Sequence, residues 1–225
     1  MEETEALFTV FGVKITAHLT TVWALMLIII VLSVIATRNM KDRPGKLQNL
    51  MEMAVSALKN FFAGLMGEEK AVRYMPLLGT LFVFIICSNY MGILPGAGVI
   101  KGFAAPTSSL STTAALGIVV FFAIHILGVK ACGFKGYGKH FIKPVAFMLP
   151  FLLLDEIVRP VSLALRLYGN IFGEETVSEQ LYELFPIGVP IVMMVLSLLF
   201  CAIQAVVFTM LTAIYIEEAT SELEE

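Results

Sequence analysis

Apolar residues fall along this chain in blocks that are separated by short polar or basic segments. A run of about 20 apolar residues is long enough to cross the hydrocarbon core of a bilayer as one helix. The blocks at residues 15–37, 75–96 and 110–129 therefore predict three membrane spans, and a loop rich in lysine follows the third. The pattern is typical of an all-α, multi-pass membrane protein.

Residues 47–66 have a different pattern, because their apolar positions recur three or four residues apart with polar residues between them. Such a helix lies in the plane of the membrane interface rather than across the bilayer. The apolar positions are Leu47, Leu50, Met51, Ala54, Leu58, Phe61, Phe62 and Leu65.

Residues 144–217 predict a long helical hairpin with its turn at residues 185–190. The first arm, of about 40 residues, would be about 60 Å long, twice the roughly 30 Å thickness of the hydrocarbon core. Ordinary helix tilts do not absorb that excess, so the hairpin is expected to be strongly tilted. The chain is thus one membrane domain with about five membrane helices and one interfacial helix.

Composition supports this class and excludes others. The chain is 58% hydrophobic and only 15% charged, against about a quarter charged in soluble domains. Its three cysteines lie far apart and no group has metal-ligand spacing, so no disulfide framework, metal or cofactor is expected. The three histidines are scattered and predict packing or surface roles. The basic runs are expected to set the topology of the chain rather than to bind nucleic acid.

The lysines and arginines predict the orientation. Segments 38–74 and 130–143 hold eleven of the fifteen basic residues and are expected on the cytoplasmic side. The N-terminus would then lie outside and the C-terminus in the cytoplasm. The first residues are acidic, unlike the basic start of a signal peptide or transit peptide.

Arg166 lies in the middle of the first arm of the hairpin, with apolar residues on both sides. A charged residue at the bilayer centre costs about 2.5–3.5 kcal/mol on insertion scales and normally faces a partner or a water-filled path. The alternative is an arginine that extends to the headgroups from a helix end. The surrounding sequence favours a functional charge.

Polar residues form a stripe on the Arg166 side of this arm, because they are spaced by four, three, four and four residues. The stripe consists of Asp155, Arg159, Ser162, Arg166 and Asn170. Asp155 and Arg159 predict an ion pair, whose role could equally be structural or functional.

Glu175 is nine residues beyond Arg166, about 13 Å along the axis and on the opposite side of the helix, so it does not simply neutralise the arginine. Gln204, an amide among apolar residues of the second arm, predicts a hydrogen bond to Arg166 or Asn170 across the hairpin. Alternatively, Gln204 forms an ordinary hydrogen bond that only holds the two helices together.

These residues resemble the a subunit of the membrane sector of F-type rotary ATP synthases. Residues 159–171, RPVSLALRLYGNI, followed by Glu175, carry the most specific match, and residues 204–208, QAVVF, with Tyr215 carry the second. Weaker matches are NYMGILPG at residues 89–96 and the pair Pro106 and Thr107. Together the matches cover most of the chain.

The resemblance implies a stator subunit, not an enzyme on its own, beside a rotating c-ring whose subunits carry mid-membrane carboxylates. Two separate aqueous half-channels would pass protons or sodium ions to and from the ring, coupling ion flow to ATP synthesis. The expected partners are the c-ring, the b subunits of the peripheral stalk and the rest of the complex. The run GNIFGEE at residues 169–175 is similar to bacterial sequences, so a bacterial plasma membrane is expected.

The resemblance makes Arg166 the essential charge between the half-channels. It puts Glu175 and Gln204 on the outer half-channel or beside the arginine, with Asn170 on the same path, while Asp155 and Glu156 are candidates for the inner half-channel. Further candidates on or near these paths are Ser162, Arg159, Glu174 and Ser197.

Departures from the family pattern make the outer path less charged than in some relatives. Ser197 stands where some relatives have a histidine, and Gly92 where some have an aspartate. Ser109 and Ser111 also replace polar or acidic residues.

Two other classes of protein remain as alternatives. A stand-alone secondary ion transporter often contains internal repeats, which are not evident in this sequence. A membrane scaffold has no need of an isolated mid-membrane arginine with scattered acids.

Overall fold

The computed structural model describes residues 8–10, 13–38, 45–93, 105–142, 149–184 and 188–221. The first three residues of the predicted hairpin turn, part of the first basic segment and most of the loop after the second span lie outside these ranges. The described elements are β1 (Phe8–Val10), β2 (Val13–Ile15), α1 (Ala17–Thr37), α2 (Lys46–Met66), α3 (Glu68–Ile93), a 3-10 turn (Pro106–Ser108), α4 (Leu110–Ile142), α5 (Leu149–Leu184) and α6 (Val189–Ser221).

The predicted all-α membrane class is confirmed. Among the described helices, four are long and apolar enough to cross a membrane, at Ala17–Thr37, Glu68–Ile93, Leu110–Phe134 and Val192–Ser221. The amphipathic α2 and the more charged α5 are not among these four. The strands β1 and β2 form a small antiparallel hairpin ahead of α1, which the apolar pattern did not predict.

The core lies where α3, α4, α5 and α6 meet, with the C-terminal end of α2 packed against it. Its largest fully buried side chains include Phe62, Leu78, Ile85, Val120, Leu163, Leu167, Phe208 and Ile216. In contrast, α1 leaves most of its apolar side chains exposed, as expected of a helix that faces lipid.

Helices α4 and α5 approach closely at Gly117. A Cβ atom at this position would lie 2.9 Å from the backbone oxygen of Pro160 and 3.2 Å from the Cβ of Ala164. Small residues allow membrane helices to pack at such short distances. This contact fixes α5 against α4 six residues before Arg166.

The predicted basic loop after the third span is wrong for residues 130–142, because α4 continues through them to Ile142. The lysines there are spaced five and four residues apart, and lysine is a good helix former. The helix is kinked at Gly133, whose φ of +69° is a left-handed conformation that glycine adopts without a steric penalty.

Candidate ion-translocation site

Arg166 lies exposed on α5 and, among the residues that the structure describes, makes no hydrogen bond or ion pair. Its helical neighbours Ser162 and Asn170, four residues before and after it, are exposed polar residues, and Leu165 beside it is 53% exposed. On its other flank, Leu163 and Leu167 are buried in the core. Arg166 therefore lies on the polar stripe, at the boundary between the buried face of α5 and its exposed apolar face.

Arg159, the other arginine of α5, lies two turns before Arg166 and has a quite different environment. Its guanidinium lies 2.7 Å from Asp155, which confirms the predicted ion pair. It also donates two hydrogen bonds to the carboxylate of Glu218 on α6, at 2.7 and 3.0 Å, and lies over the ring of Tyr215. Such a bidentate contact is geometrically specific and holds α5 to α6. Ser162 is exposed on the same stripe.

The predicted hydrogen bond of Gln204 is confirmed for one of its two candidate partners. Asn170 Nδ2 donates to Gln204 Oε1 at 2.7 Å, although Asn170 is exposed and Gln204 is only 3% exposed. The amide nitrogen of Gln204 is buried and has no hydrogen-bond partner within the described part of the chain. A buried donor of this kind is normally satisfied by water.

The two adjacent glutamates of α5 point to different neighbours. Glu174 contacts the hydroxyl of Ser197 on α6 and lies 3.9 Å from the Sγ of Cys201. A carboxylate oxygen of Glu175 lies 3.9 Å from the position of a Cβ on Gly92, so Glu175 is directed towards the end of α3. The residue that meets Ser197 is therefore Glu174, which the sequence had given only a secondary place.

Buried polar atoms continue from Glu174 towards the end of α3, and the sequence analysis assigned none of them. Asn89 Nδ2 donates to the carbonyl oxygen of Cys201 at 3.3 Å. The Oδ1 of Asn89, the Oγ of Ser88 and the Oγ1 of Thr107 are buried without a hydrogen-bond partner among the described residues. Buried polar atoms of this kind are normally satisfied by water.

The adjacent residues Asp155 and Glu156 have different partners in the structure. Asp155 is engaged by Arg159, whereas the carboxylate of Glu156 lies 3.9 Å from the Nε2 of His125 on α4. The acidic groups of α5 thus fall into two sets, one on either side of Arg166. On an ideal helix, Glu156 and Glu174 lie on the same face, five turns and about 27 Å apart.

A double-mutant cycle tests the contact between α5 and α6. We expect Asn170→Leu and Gln204→Leu to be coupled by about 0.6 kcal/mol, and by no more than about 1.7 kcal/mol, as for other interhelical hydrogen bonds in membranes. The free energy of unfolding in a denaturing detergent measures this coupling. Asn170→Leu with Thr209→Val is the control, because Thr209 bonds the carbonyl of Ala205 on its own helix. Equal coupling in both cycles would contradict the assignment.

Comparison with known proteins gives the same family that the sequence motifs resemble. The sequence profile of the family described as ATP synthase A chain matches residues 19–217. The chain is 41% identical over 204 residues to ATP synthase subunit a of Trichlorobacter lovleyi, covering 89% of this chain and 85% of that protein. It is also 41% identical to ATP synthase subunit a 3 of Pelobacter propionicus, covering 89% and 86%, and 39% identical to ATP synthase subunit a of Geobacter sulfurreducens, with the same coverage. On this evidence of sequence, and with Arg166 and its flanking acids in the matched region, the chain belongs to the ATP synthase A chain family.

Proposed function

We propose that this chain is the stator ion-channel subunit of an F-type ATP synthase and passes ions to and from the carboxylates of a rotating c-ring. The observation that carries the proposal is the exposed Arg166, which has no partner among the described residues and lies beside the exposed apolar face of α5, between two sets of acids. A membrane protein keeps such a charge when a partner outside the chain neutralises it or when water reaches it.

The surface of α5 and α6 supports a ring as that partner. Both helices expose large apolar side chains, among them Leu165 beside Arg166 on α5, and the exposed set on α6 includes Val195, Leu199, Phe200 and Ile203. A ring of helices that carry mid-membrane carboxylates would cover this apolar face and bring an acid to the arginine. The nearby positive charge lowers the pKa of such a carboxyl and favours its ionised form.

Arginine suits this role because its guanidinium does not release its proton at any accessible pH, unlike the ammonium of lysine. A fixed positive charge between the two paths favours release of the ion from each arriving carboxylate. It also repels any cation that would cross directly from one path to the other.

The outer half-channel is proposed to run along Glu175, Glu174, Ser197 and Gln204. Its support is the group of buried polar atoms without partners in the described chain, which water would satisfy. Asn170 joins this path through its bond to Gln204. Glu156, with Asp155 beside it, is proposed for the inner half-channel.

We further propose that α5 and α6 cross the membrane as a strongly tilted hairpin. The 36 residues of α5 are about 54 Å long, well above the roughly 30 Å of the hydrocarbon core. The N-terminus lies outside and the C-terminus lies in the cytoplasm of a bacterial cell, whose plasma membrane holds the complex. The b subunits and the remaining subunits of the complex complete the set of partners.

Disulfide cross-linking in the whole complex tests the proposed ring surface. Leu165→Cys on α5 and Ile203→Cys on α6 should each form a disulfide with cysteines introduced on the outer helix of the ring subunit. The controls are Leu32→Cys and Ile28→Cys on α1, matched in residue type and exposure at 54% and 47% against 53% and 48%. The three native cysteines are first replaced by alanine. Equal cross-linking of α1 and of the α5 and α6 positions, or pumping by the isolated chain, would contradict the proposal.

A further inference from the structure

His125 lies opposite Glu156 across the contact between α4 and α5. The distance from His125 Nε2 to Glu156 Oε2 is 3.9 Å, and the two side chains are 28% and 15% exposed. Both side chains are therefore largely buried within the chain, and the more exposed of the two is that of His125. The sequence had predicted no more than a packing or surface role for this histidine.

The backbone fixes which nitrogen of His125 can bind a proton. Its Nδ1 lies 2.8 Å from the carbonyl oxygen of Phe121, one turn earlier on α4. A carbonyl oxygen only accepts hydrogen bonds, so Nδ1 must carry the hydrogen in the neutral ring. The lone pair is then on Nε2, the nitrogen that faces Glu156. Proton uptake by His125 takes place on the side of the carboxylate.

The charged groups next to the His125–Glu156 pair are engaged with other partners. On α5, Arg159 is engaged by Asp155 and by Glu218 of α6, and among the described residues the salt-bridge partner of Glu156 is His125. From the end of α4, the ring of Tyr137 packs against His125 at a centroid distance of 6.0 Å.

Tyr137 stays neutral at this position. Burial, followed by the negative charge of Glu156 and an interaction with Cys132, raises the pKa of its phenol to about 12, against the opposing effect of Arg159. The kink at Gly133 brings Tyr137 close to Gly128. A Cβ added to Gly128 would lie 2.6 Å from the tyrosine ring. The neutral ring of Tyr137 thus packs against His125 without itself adding a charge.

We propose that His125 is a proton-relay residue that transfers protons between cytoplasmic water and Glu156. Nε2 of the neutral imidazole takes a proton from hydronium, leaving water and an imidazolium. The imidazolium then gives that proton to the Glu156 carboxylate, through one bridging water because 3.9 Å exceeds a direct hydrogen bond. Glu156 passes the proton on towards the ring, and the imidazole returns to its neutral form. This inference rests on the proposed function and on protons as the coupling ion.

The test is ATP-driven proton uptake into inverted membrane vesicles that contain the whole complex, because their outer medium contacts the cytoplasmic side. The initial rate is measured for His125→Gln, which keeps an amide donor for the Phe121 carbonyl but does not titrate. We expect a rate near that of the unmodified complex at about pH 6, where protons are plentiful, and a loss of about threefold or more at about pH 8. Glu156→Gln should lower the rate at both pH values and more strongly at about pH 8, and the double variant should be no worse than Glu156→Gln alone.

His18→Gln is the matched control, because the Nδ1 of His18 also lies against a backbone carbonyl, that of Ala105, at 3.0 Å. Its pH profile should keep the shape of the unmodified complex. If His125→Gln does not assemble, Glu156→Gln carries the test. The relay would be overturned if the pH profiles of His125→Gln and Glu156→Gln kept their shape. It would also be overturned if the complex took up sodium ions instead of protons when driven by ATP, independently of both residues. Arg166→Ala in the same vesicles distinguishes a failure of the relay from a failure of the proposed function. Continued pumping by Arg166→Ala would overturn the proposed function.

Discussion

Replacing Arg166 with alanine should abolish ATP-driven ion uptake in vesicles while the complex remains assembled. Without the guanidinium, an arriving ring carboxylate keeps its ion, because the nearby charge that favours ionisation is gone. Arg166 makes no ion pair or hydrogen bond within the described residues, so its removal leaves no carboxylate of this chain unpaired. The expected result is therefore loss of transport without loss of the fold, measured as uptake rate and as subunit content after purification.

Two variants define the specificity of this result. Arg166→Lys should also fail to pump at a normal rate, since a lysine can lose its proton in an apolar site and so does not supply a fixed charge. Arg73→Ala is the matched control, because Arg73 is an exposed arginine whose contact is a surface pair with Glu69, worth at most about 1 kcal/mol. Normal pumping by Arg166→Ala would mean that the arginine is a structural charge.

The second large effect is expected from Glu174→Gln combined with Glu175→Gln. The double substitution keeps the size of both side chains but replaces one acceptor oxygen of each carboxylate with an amide donor, and it removes the first two acids beyond Arg166 on α5. Positioned acid–base groups typically contribute factors of 10²–10⁴, so we expect uptake to fall by about tenfold or more. Of the single variants, Glu174→Gln should be the more damaging, because Glu174 is the acid that meets Ser197 and Cys201 on α6.

A second pair of adjacent glutamates in this chain provides the control. Glu68 and Glu69 open α3, where they contact Lys59 and Arg73 on the exposed surface. Glu68→Gln with Glu69→Gln changes the net charge by the same amount and should leave uptake within about twofold, since surface ion pairs contribute little. Equal losses in the two double variants would show that the effect is one of charge or assembly rather than of the ion path.

Local sequence patterns were sufficient where the interacting residues share a helix or a hairpin. Asp155 and Arg159 are four residues apart, so helical periodicity alone predicted their contact. Gln204 was recognised as an amide in an apolar segment, and its bond to Asn170 crosses a predicted hairpin. Arg166 was singled out by the cost of a charge within an apolar run.

Contacts between distant helices could not be predicted in the same way. Glu218 is 59 residues from Arg159, and Asn89 is 112 residues from Cys201. No periodicity connects such positions, because their contact depends on how α3, α4 and α6 pack around α5. The meeting of His125 with Glu156 has the same origin. The kink at Gly133 was missed because three glycines among lysines, Gly133, Gly136 and Gly138, are typical of a loop.

The aliphatic residues on the buried face of α5 have an electrical consequence. Leu163, Leu167 and Ile171 are buried between the levels of Glu156 and Glu174, the two acids that lie about five helical turns apart. Moving a bare ion through such a low-dielectric layer costs on the order of 20 kcal/mol in the idealised limit. A membrane potential of 100 mV supplies only about 2.3 kcal/mol per charge, so these side chains act as an insulator that the potential cannot break down. They would let a cell hold its ion gradient while the rotor stands still.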